Sequence, residues 1–465
     1  MSKTRILAFL DTDRGRDVEI LMPMVYFAEK HLNCEVTFAH KWNVFEVYLR
    51  KPDLVLLPNA IGSKYYFYIS KYAHEQGIKV FALVSEGNFW TNGTYNFYGN
   101  NTDEKLYHEY VCYWSERTYN HIKERFPEYS DRLVLTGGVG FDRFKIYDFQ
   151  RKEDFLKEKQ LTDFSKVIGY AGWSFGKLFN PKTITDHKYV RPHDPNRIEW
   201  MKQFMYKVEH TLKKLIENNP DTLFILKKHP TESIPSDTGK TVNEMENLKH
   251  YSNVLYLVYD DIDDLLNVCD LWMGFDTTTT MESWLIKNNP TFLLHPHQDF
   301  FRDELYKGSI ITQSYAEIQE YIDEFYKTGK VSAIDDKILE ARSRIIKDKI
   351  GYDDGINHIR TGFYLKKTIE NLGSNKARSF KINTKYLIMY LLVRLGKPVY
   401  NRKLFLKLPK FKKTIWIFNK LELKGLTALK KEYFKYLDRF YEVNELNEKI
   451  KNPEFWKNLF SKSEP

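Results

Sequence analysis

The chain has 465 residues, of which 42% are apolar and 29% are charged, with a formal net charge of +9. Its length fits two or three domains of ordinary size, each with its own core. No apolar run approaches the roughly 20 residues that span a bilayer, and the three cysteines, Cys34, Cys112 and Cys269, lie far apart inside apolar runs. These features exclude a disulfide framework and a cysteine-based zinc site, and they predict a reducing, cytoplasmic location.

Short apolar runs alternate with amphipathic segments over residues 1–150. The first run ends in acidic residues and lacks the long apolar core of a signal peptide, so it predicts a strand. Predicted strands cover residues 6–11, 35–40, 54–58, 80–85, 111–114 and 133–137, and helical spacing covers 63–76 and 117–126. This alternation predicts a parallel, doubly wound sheet and therefore an N-terminal Rossmann-like domain.

The same alternation begins again after a charged stretch, residues 150–160, that has no strand signal. A second Rossmann-like domain is predicted over residues 165–373, with strands at 167–173, 223–228, 254–258, 271–274 and 291–295 and a long helix at 196–217. The predicted fold class is α/β, with two Rossmann-like domains that face a cleft. Ligands of doubly wound folds bind at the carboxyl ends of the strands, so the cleft is the expected site.

A basic, aromatic-rich and mostly helical extension is predicted over residues 374–465. From Lys376 to the end, 22 Lys and Arg outnumber 8 Asp and Glu, which gives this part +14 and the rest −5. Basic residues alternate with Leu, Phe and Trp416, and this pattern predicts peripheral contact of residues 380–420 with an anionic inner membrane. Packing of the extension on the two domains, or in a dimer, is the alternative. Nucleic acid is not a predicted partner, because no recognised binding module accompanies the charge.

The strongest site signal lies where the strand predicted at 223–228 ends. Lys228 and His229 are followed by Pro230, which cannot continue a strand ladder, and then by Glu232. The turn places His229 at the carboxyl end of the strand, where an imidazole beside a lysine suits a phosphate ester. The alternative is a histidine that only caps a neighbouring loop.

A run of four threonines, Thr277, Thr278, Thr279 and Thr280, follows the strand predicted at 271–274 and opens a helix. Hydroxyls and free N–H groups at a helix N-terminus form an anion site. Glu282, in the first turn, is predicted to accept hydrogen bonds from ribose hydroxyls. The alternative is ordinary capping, with a threonine cap and Glu282 in a capping box.

Glu86 follows the fourth predicted strand and precedes Gly87. A carboxylate at this end of a strand is placed to take a proton from an acceptor hydroxyl, and partial desolvation would improve it as a base. The alternative is a solvated turn residue.

Two weaker signals lie in loops after strands. Gly137 opens a glycine-rich turn that lets the backbone approach a ligand, or that only makes a tight turn between domains. Arg14 and Arg16 follow the first strand and are predicted to contact an acceptor or an anionic sugar, with a solvated loop as the alternative.

Asp260, Asp261, Asp263 and Asp264 superficially resemble a metal cluster. They open a predicted helix, where acidic residues are favourable without a metal. No metal site is predicted.

The order of these motifs resembles the bacterial surface carbohydrate biosynthesis family over residues 5–365. The matching positions are His40-Lys41, Glu86-Gly87, Trp114 with the helix after it, Thr136-Gly137 with Phe141-Asp142, His229-Pro230 with Glu232, Thr279-Thr280 with Glu282, and Asp354-Gly355 with Arg360. Three of them, the acid with glycine, the His-Pro pair and the hydroxyl pair, are also similar to motifs of bacterial GT-B sialyltransferases.

The resemblance implies an inverting glycosyltransferase of GT-B fold. Glu86 would be the general base, and His229 with Thr279 and Thr280 would hold the donor phosphate. The implied donor is a CMP-linked acidic sugar, such as a nonulosonic acid or Kdo. The implied acceptor is a surface glycan or a lipid-linked glycan, as in capsule or lipopolysaccharide assembly. No metal cofactor is implied, because GT-B enzymes generally need none.

The sequence also departs from these families. Ser85 replaces one acid of the sialyltransferase pair, and Gly138-Val139-Gly140 replaces the usual Asn-Pro-Arg of the Thr-Gly turn. Three alternatives therefore stay open: a CDP-polyol phosphotransferase of the teichoic-acid type, a nucleotide-sugar 2-epimerase, and a non-catalytic nucleotide-sugar-binding protein. The epimerase is the less expected enzyme, because it would not need a basic tail.

Overall fold

The computed structural model describes residues 3–13, 15–60, 64–84, 105–179, 197–229, 242–296, 303–372, 380–400, 423 and 425–461. The chain divides into two compact units. Unit 1 contains Met1–Tyr147 and Lys347–Pro465, and unit 2 contains Asp148–Ile346.

Unit 1 is built on a six-stranded parallel sheet in the order β2-β1-β3-β4-β5-β6. Its strands are β1 (Thr4–Leu10), β2 (Cys34–His40), β3 (Leu54–Leu57), β4 (Lys79–Ala82), β5 (Tyr110–Tyr113) and β6 (Leu133–Leu135). The helices between them are α1 (Arg16–His31), α2 (Glu46–Arg50), α3 (Lys64–Glu75) and α4 (Glu116–Arg125), and α5 (Arg143–Ile146) follows β6.

Unit 2 has a second six-stranded parallel sheet in the order β12-β11-β10-β7-β8-β9. Its strands are β7 (Lys166–Ala171), β8 (Thr222–Lys227), β9 (Val254–Leu257), β10 (Leu271–Gly274), β11 (Thr291–Leu294) and β12 (Ile310–Thr312). Its helices are α6 (Lys152–Glu158), α7 (Arg197–Asn218), α8 (Ile262–Val268), α9 (Thr279–Ile286), α10 (Asp303–Tyr306) and α11 (Tyr315–Thr328).

Both sheets are buried on their two faces, as parallel sheets usually are. In β7, Ile168 and Tyr170 belong to one core cluster, whereas Val167 and Ala171 belong to another. Strand β1 divides in the same way between two clusters of unit 1. Because side chains alternate across a strand, each sheet separates two cores. The predicted pair of Rossmann-like domains is confirmed.

After α12 (Asp336–Ile350), the chain returns to unit 1, where the described residues form five more helices. These are α13 (Asn357–Glu370), α14 (Thr384–Tyr400), α15 (Leu426–Val443), α16 (Leu446–Lys449) and α17 (Pro453–Ser461). This return differs from the predicted boundary at residue 373, since residues 347–372 pack in unit 1. A Cβ at Gly362 of α13 would lie 2.6 Å from the Phe27 ring of α1, so the two helices are in close contact.

The last three helices also belong to the core of unit 1. Tyr441 of α15 is fully buried, and the Tyr26 hydroxyl of α1 donates to Asp438 at 2.8 Å. Leu446 and Leu459 lie in the same apolar cluster. This part of the predicted extension therefore packs on its domain, which is the alternative the sequence left open. Among the helices described, none is long and apolar enough to cross a membrane.

Candidate functional site

The strand order of unit 2 reverses between β7 and β10, and in open α/β sheets such a reversal opens a crevice at the carboxyl ends of the strands. Strand β8, which ends in Lys227, pairs with the other side of β7. The His229 motif and the threonine run therefore lie on the two strands that flank β7, at the same edge of the sheet. Two strand spacings put β8 and β10 themselves about 10 Å apart.

The end of β8 is held by its neighbour β9. The Lys228 N–H donates to the Leu257 carbonyl at 2.9 Å and continues the ladder, while the Lys227 ammonium donates to the Val258 carbonyl at 2.8 Å. Burial lowers the pKa of Lys227. His229 follows directly and is half-buried. The predicted ligands Pro230 and Glu232 lie outside the described residues.

The threonine run forms a hydrogen-bonded turn at the start of α9. The Thr279 N–H donates to the Thr277 hydroxyl at 3.2 Å, and the Thr280 hydroxyl donates to the Thr277 carbonyl at 3.1 Å. The Trp272 indole N–H donates to the Thr279 hydroxyl at 2.8 Å. Three of the four hydroxyls are thus used to build the turn.

Thr278 differs from its three neighbours. It is the N-cap residue of α9, but its side chain makes no capping hydrogen bond, so the capping box expected as the alternative does not form. Its half-buried hydroxyl has no hydrogen-bond partner in the part of the chain that the structure describes. The Thr279 N–H already donates to Thr277, and the Met281 N–H donates to the Thr278 carbonyl at 3.0 Å. Among the described residues, the Thr278 hydroxyl and the Thr280 N–H are therefore the groups of this turn that remain for an anion.

Two carboxylates lie beside this turn. Glu282 is only 3% exposed, within the first turn of α9, and Asp276, two residues after the end of β10, is equally buried. The Tyr306 hydroxyl donates to Asp276 at 2.8 Å. Asp276 was not among the predicted site residues, although its place after an apolar strand was the available signal.

A third buried carboxylate, Glu244, reaches the turn after β7. It is fully buried, and its Oε1 accepts the Trp173 N–H at 2.8 Å and the Tyr170 hydroxyl at 3.0 Å. A Cβ at Gly172 would lie 2.5 Å from Met245, so the segment around Glu244 presses directly on this turn. Burial raises the pKa of Glu244 to about 7. No sequence pattern indicated this residue, which stands in a polar stretch.

The aspartates near α8 have structural partners. The Asp261 carboxylate accepts the Asp263 N–H at 2.9 Å and caps the helix. Asp264 accepts the Gln150 N–H at 2.7 Å, and Asp260 lies 3.2 Å from the Lys159 ammonium. These contacts agree with the helix-start interpretation of the aspartates.

The strand order of unit 1 reverses between β1 and β3. Arg16 is the first residue of α1, the helix that follows β1, and it is half-buried. Arg14 lies outside the described residues. Asp11, at the end of β1, forms an ion pair of 2.9 Å with Lys41. Glu86 also lies outside the described residues, two positions after Val84, whose carbonyl accepts the Trp114 indole N–H at 2.5 Å.

Gly137 has a packing role in unit 1. Its φ is +82°, and a Cβ there would lie 2.0 Å from the Asn357 side chain at the start of α13. Close by, Asp142 accepts the N–H groups of Asn357 at 3.0 Å and of His358 at 2.7 Å. The His358 ring lies 2.8 Å from Asp142 and 3.0 Å from the Tyr441 hydroxyl.

The same junction contains the last motif of the resemblance. The Arg360 guanidinium donates to both carboxylate oxygens of Asp354, at 2.8 and 2.5 Å. It also lies 3.9 Å from the centre of the Tyr352 ring. Residues 137–142 and 352–360 therefore meet in unit 1 and join its two chain segments.

The sequence matches no protein-family model and no curated protein at a significant level. Solved structures share the fold at low identity. The UDP complex of S. aureus MnaA has a TM-score of 0.52 and 13% identity over 81% of this chain and 100% of that chain.

Two further structures show the same likeness. One assigned as a UDP-N-acetylglucosamine 2-epimerase from Listeria monocytogenes has a TM-score of 0.51 and 12% identity, over 82% of this chain and 100% of that one. Another UDP-N-acetylglucosamine 2-epimerase has a TM-score of 0.52 and 10% identity over the same shares. At these identities the likeness shows the two-unit GT-B fold. The resemblance to surface-carbohydrate enzymes and sialyltransferases stays a prediction.

Proposed function

We propose that this protein is an enzyme that acts on a nucleotide-activated sugar, with the donor phosphate bound at the carboxyl edge of the unit 2 sheet. The observation behind the proposal is that Lys228-His229 and the start of α9 lie on the two strands that flank β7, where the strand order reverses. Fold likeness to a UDP complex and to two epimerases of UDP-sugars supports a nucleotide sugar as the ligand class.

In this proposal the phosphate is held by fixed donors. Lys228 and His229 supply positive charge and an imidazole N–H from one side, and the Thr278 hydroxyl with the Thr280 N–H supplies neutral donors from the other. Thr277, Thr279 and Thr280 shape the turn, since their hydroxyls already bond within it. Glu282 is the proposed partner of the ribose. Donors fixed in advance stabilise the charge that grows on the leaving phosphate.

The proposed reaction is inverting glycosyl transfer. Glu86 takes the proton of an acceptor hydroxyl, the acceptor oxygen bonds to the anomeric carbon, and the bond from that carbon to the phosphate oxygen breaks. The electron pair leaves with the nucleotide, and no metal cofactor is proposed. The proposed donor is a CMP-linked acidic sugar such as a nonulosonic acid or Kdo, and the proposed acceptor is a surface glycan or lipid-linked glycan.

A 2-epimerase acting on a UDP-sugar is the second candidate. The specific observation in its favour is that the fold of two such enzymes is matched over their full length. An epimerase converts the donor alone, so it needs no acceptor. Product analysis without an acceptor separates the two: a sugar nucleotide with an altered configuration indicates epimerisation.

The test begins with nucleotide binding by the full chain. CMP, CDP, UDP and GDP are compared by thermal shift and by calorimetry, with wild type, His229→Gln and His250→Gln. His250 is an exposed histidine of unit 2 and serves as the matched control. Losing a hydrogen bond to a charged phosphate weakens binding roughly 10- to 100-fold, so we expect this loss in His229→Gln and wild-type affinity in His250→Gln.

Turnover of CMP-sugar and UDP-sugar donors then tests catalysis. We expect Glu86→Gln to keep nucleotide affinity and to lose transfer. Stabilisation by UDP but not by CMP would overturn the CMP donor and favour the second candidate. Transfer of the polyol phosphate from a CDP-polyol to an acceptor hydroxyl, with release of CMP, would identify the phosphotransferase. Binding without turnover of any donor would leave a non-catalytic binding protein, and no binding of any nucleotide would refute the proposal.

A further inference from the structure

Helix α14 is held on unit 1 by one aromatic face. The Tyr386 ring lies 5.1 Å from the Tyr72 ring, and the Tyr390 ring, one turn later, lies 5.8 Å from that of Phe45. Just before the helix, the Lys381 carbonyl accepts the Tyr72 hydroxyl at 3.0 Å. These contacts fix which side of α14 faces the protein.

The opposite side exposes a stripe of large apolar side chains. Ile388 is 51% exposed, Leu391 41%, Leu392 66% and Leu395 68%. Their spacing of three and four residues aligns them along one face of the helix. Ile382, just before the helix, adds to the same region with 54% exposure. A contiguous exposed apolar stripe of this kind marks an interaction surface.

The stretch of sequence that contains this stripe carries charge of one sign. From residue 371 to residue 421 the sequence contains 13 Lys and Arg and no Asp or Glu. On the described part of α14, Lys385 and Arg394 lie over the rings of Tyr68 and Tyr390, at 5.5 and 5.9 Å from their centres. The cations thus occur together with the apolar stripe in one segment of the chain.

This combination selects one kind of partner. A second copy of the same face would bring two acid-free, strongly basic segments together, and like charges repel. The phosphates of a nucleic acid would pair with the cations, but they would leave the row of leucines exposed to water. An anionic bilayer binds both the apolar stripe and the cations, because apolar side chains enter the interfacial region while cations contact the headgroups.

We propose that α14 docks unit 1 on an anionic phospholipid bilayer, with Ile388, Leu391, Leu392 and Leu395 in the interfacial region. The helix lies in the membrane plane, and its tyrosine face stays on the protein. The proposal goes beyond the proposed enzyme function and does not depend on which nucleotide or sugar is used.

The test is co-sedimentation of the full chain with vesicles of phosphatidylcholine alone or mixed with phosphatidylglycerol. We expect binding to the anionic vesicles only, weakened by salt. The variant Leu392→Glu/Leu395→Glu is expected to bind roughly 100-fold more weakly, because two apolar side chains no longer enter the interface. The control Leu339→Glu/Val443→Glu, which changes exposed apolar residues on α12 and α15, is expected to bind like wild type.

A second measurement places the stripe directly. Tryptophan at position 392, introduced as Leu392→Trp, is expected to gain a blue-shifted emission that appears only with anionic vesicles. Equal binding to neutral vesicles, or anionic binding that Leu392→Glu/Leu395→Glu leaves unchanged, would overturn the proposal. Self-association in the absence of lipid that the same variant abolishes would also overturn it, in favour of a dimer interface.

Discussion

The buried carboxyl group of Glu244 makes the stability of unit 2 depend on pH in a defined direction. Both hydrogen bonds to it reach Oε1, and its Oε2 is buried without a hydrogen-bond partner among the described residues. The substitution Glu244→Gln keeps an oxygen for the Trp173 and Tyr170 donors and removes the ionisable group. We therefore expect the variant to resemble the wild type at low pH and to be more stable at high pH.

The sign follows from the two ends of the titration. Burial raises the pKa of Glu244 from its ordinary value of 4.5 to about 7, and the nearby carboxylate of Glu209 adds to the effect. Below pH 4.5 the group is protonated whether the chain is folded or unfolded. Between pH 4.5 and 7 only the unfolded chain loses the proton. The free energy of unfolding therefore decreases as pH rises through this range. At about 1.4 kcal/mol for each pH unit, the loss amounts to roughly 3 kcal/mol.

Thermal unfolding of both proteins between pH 5 and pH 8 measures this effect. The Tm of Glu244→Gln minus that of wild type is expected to rise with pH by up to roughly 6–12 °C, since 1 kcal/mol shifts Tm by about 2–4 °C in a domain of this size. Other groups titrate in both proteins and cancel in the difference. The control Glu320→Gln removes an exposed carboxylate of α11, which solvent reaches in both states, so its difference should be constant. A constant difference for Glu244→Gln would refute the reasoning.

Two further predictions concern the packing of unit 1. Gly137→Ala places a Cβ within 2.0 Å of Asn357 at a φ of +82°, whereas Gly77→Ala has a similar φ of +72° and nothing within 4 Å. Denaturant unfolding should show that the free energy of unfolding falls by about 1 kcal/mol in Gly77→Ala and by clearly more in Gly137→Ala. Nucleotide affinity should be unchanged in both variants. Weaker nucleotide binding by Gly137→Ala without a loss of stability would instead indicate that Gly137 contacts the ligand. Tyr441→Phe removes the hydroxyl beside the His358 ring and should lower the free energy of unfolding by about 1–3 kcal/mol; no loss would show that this hydroxyl is not needed there.

The sheets were predictable because parallel strands covered on both faces appear as continuous apolar runs. Strand β3, Leu-Val-Leu-Leu, is completely buried and lies within the strand predicted at 54–58. The carboxyl end of each strand follows from its direction, so His229 and the threonine run could be assigned to the same kind of position. That they flank one strand, β7, depends on strand order, which chain order alone does not specify.

The return of the chain to unit 1 was not predictable from local patterns. Asp142 and His358 are 216 positions apart, and nothing near either residue indicates the other. Helical spacing shows that a segment has an apolar face, but it does not show which of two similar sheets that face covers. The same limit applies to Thr279, whose partner Trp272 is a strand residue and gives no sign of a polar contact.

The motifs of the resemblance separate into two physical classes, and this separation affects what they indicate. Residues 137–142 and 352–360 form their hydrogen bonds and pack closely inside unit 1, where they join two distant chain segments. These contacts are part of the fold and involve no substrate. The motif residues His229 and Thr279, with their neighbours Lys228 and Thr278, lie at the carboxyl edge of the unit 2 sheet, and in the proposed function this edge contacts the substrate. The first class therefore supports a shared architecture, and the choice between transfer and epimerisation depends on variants of the second.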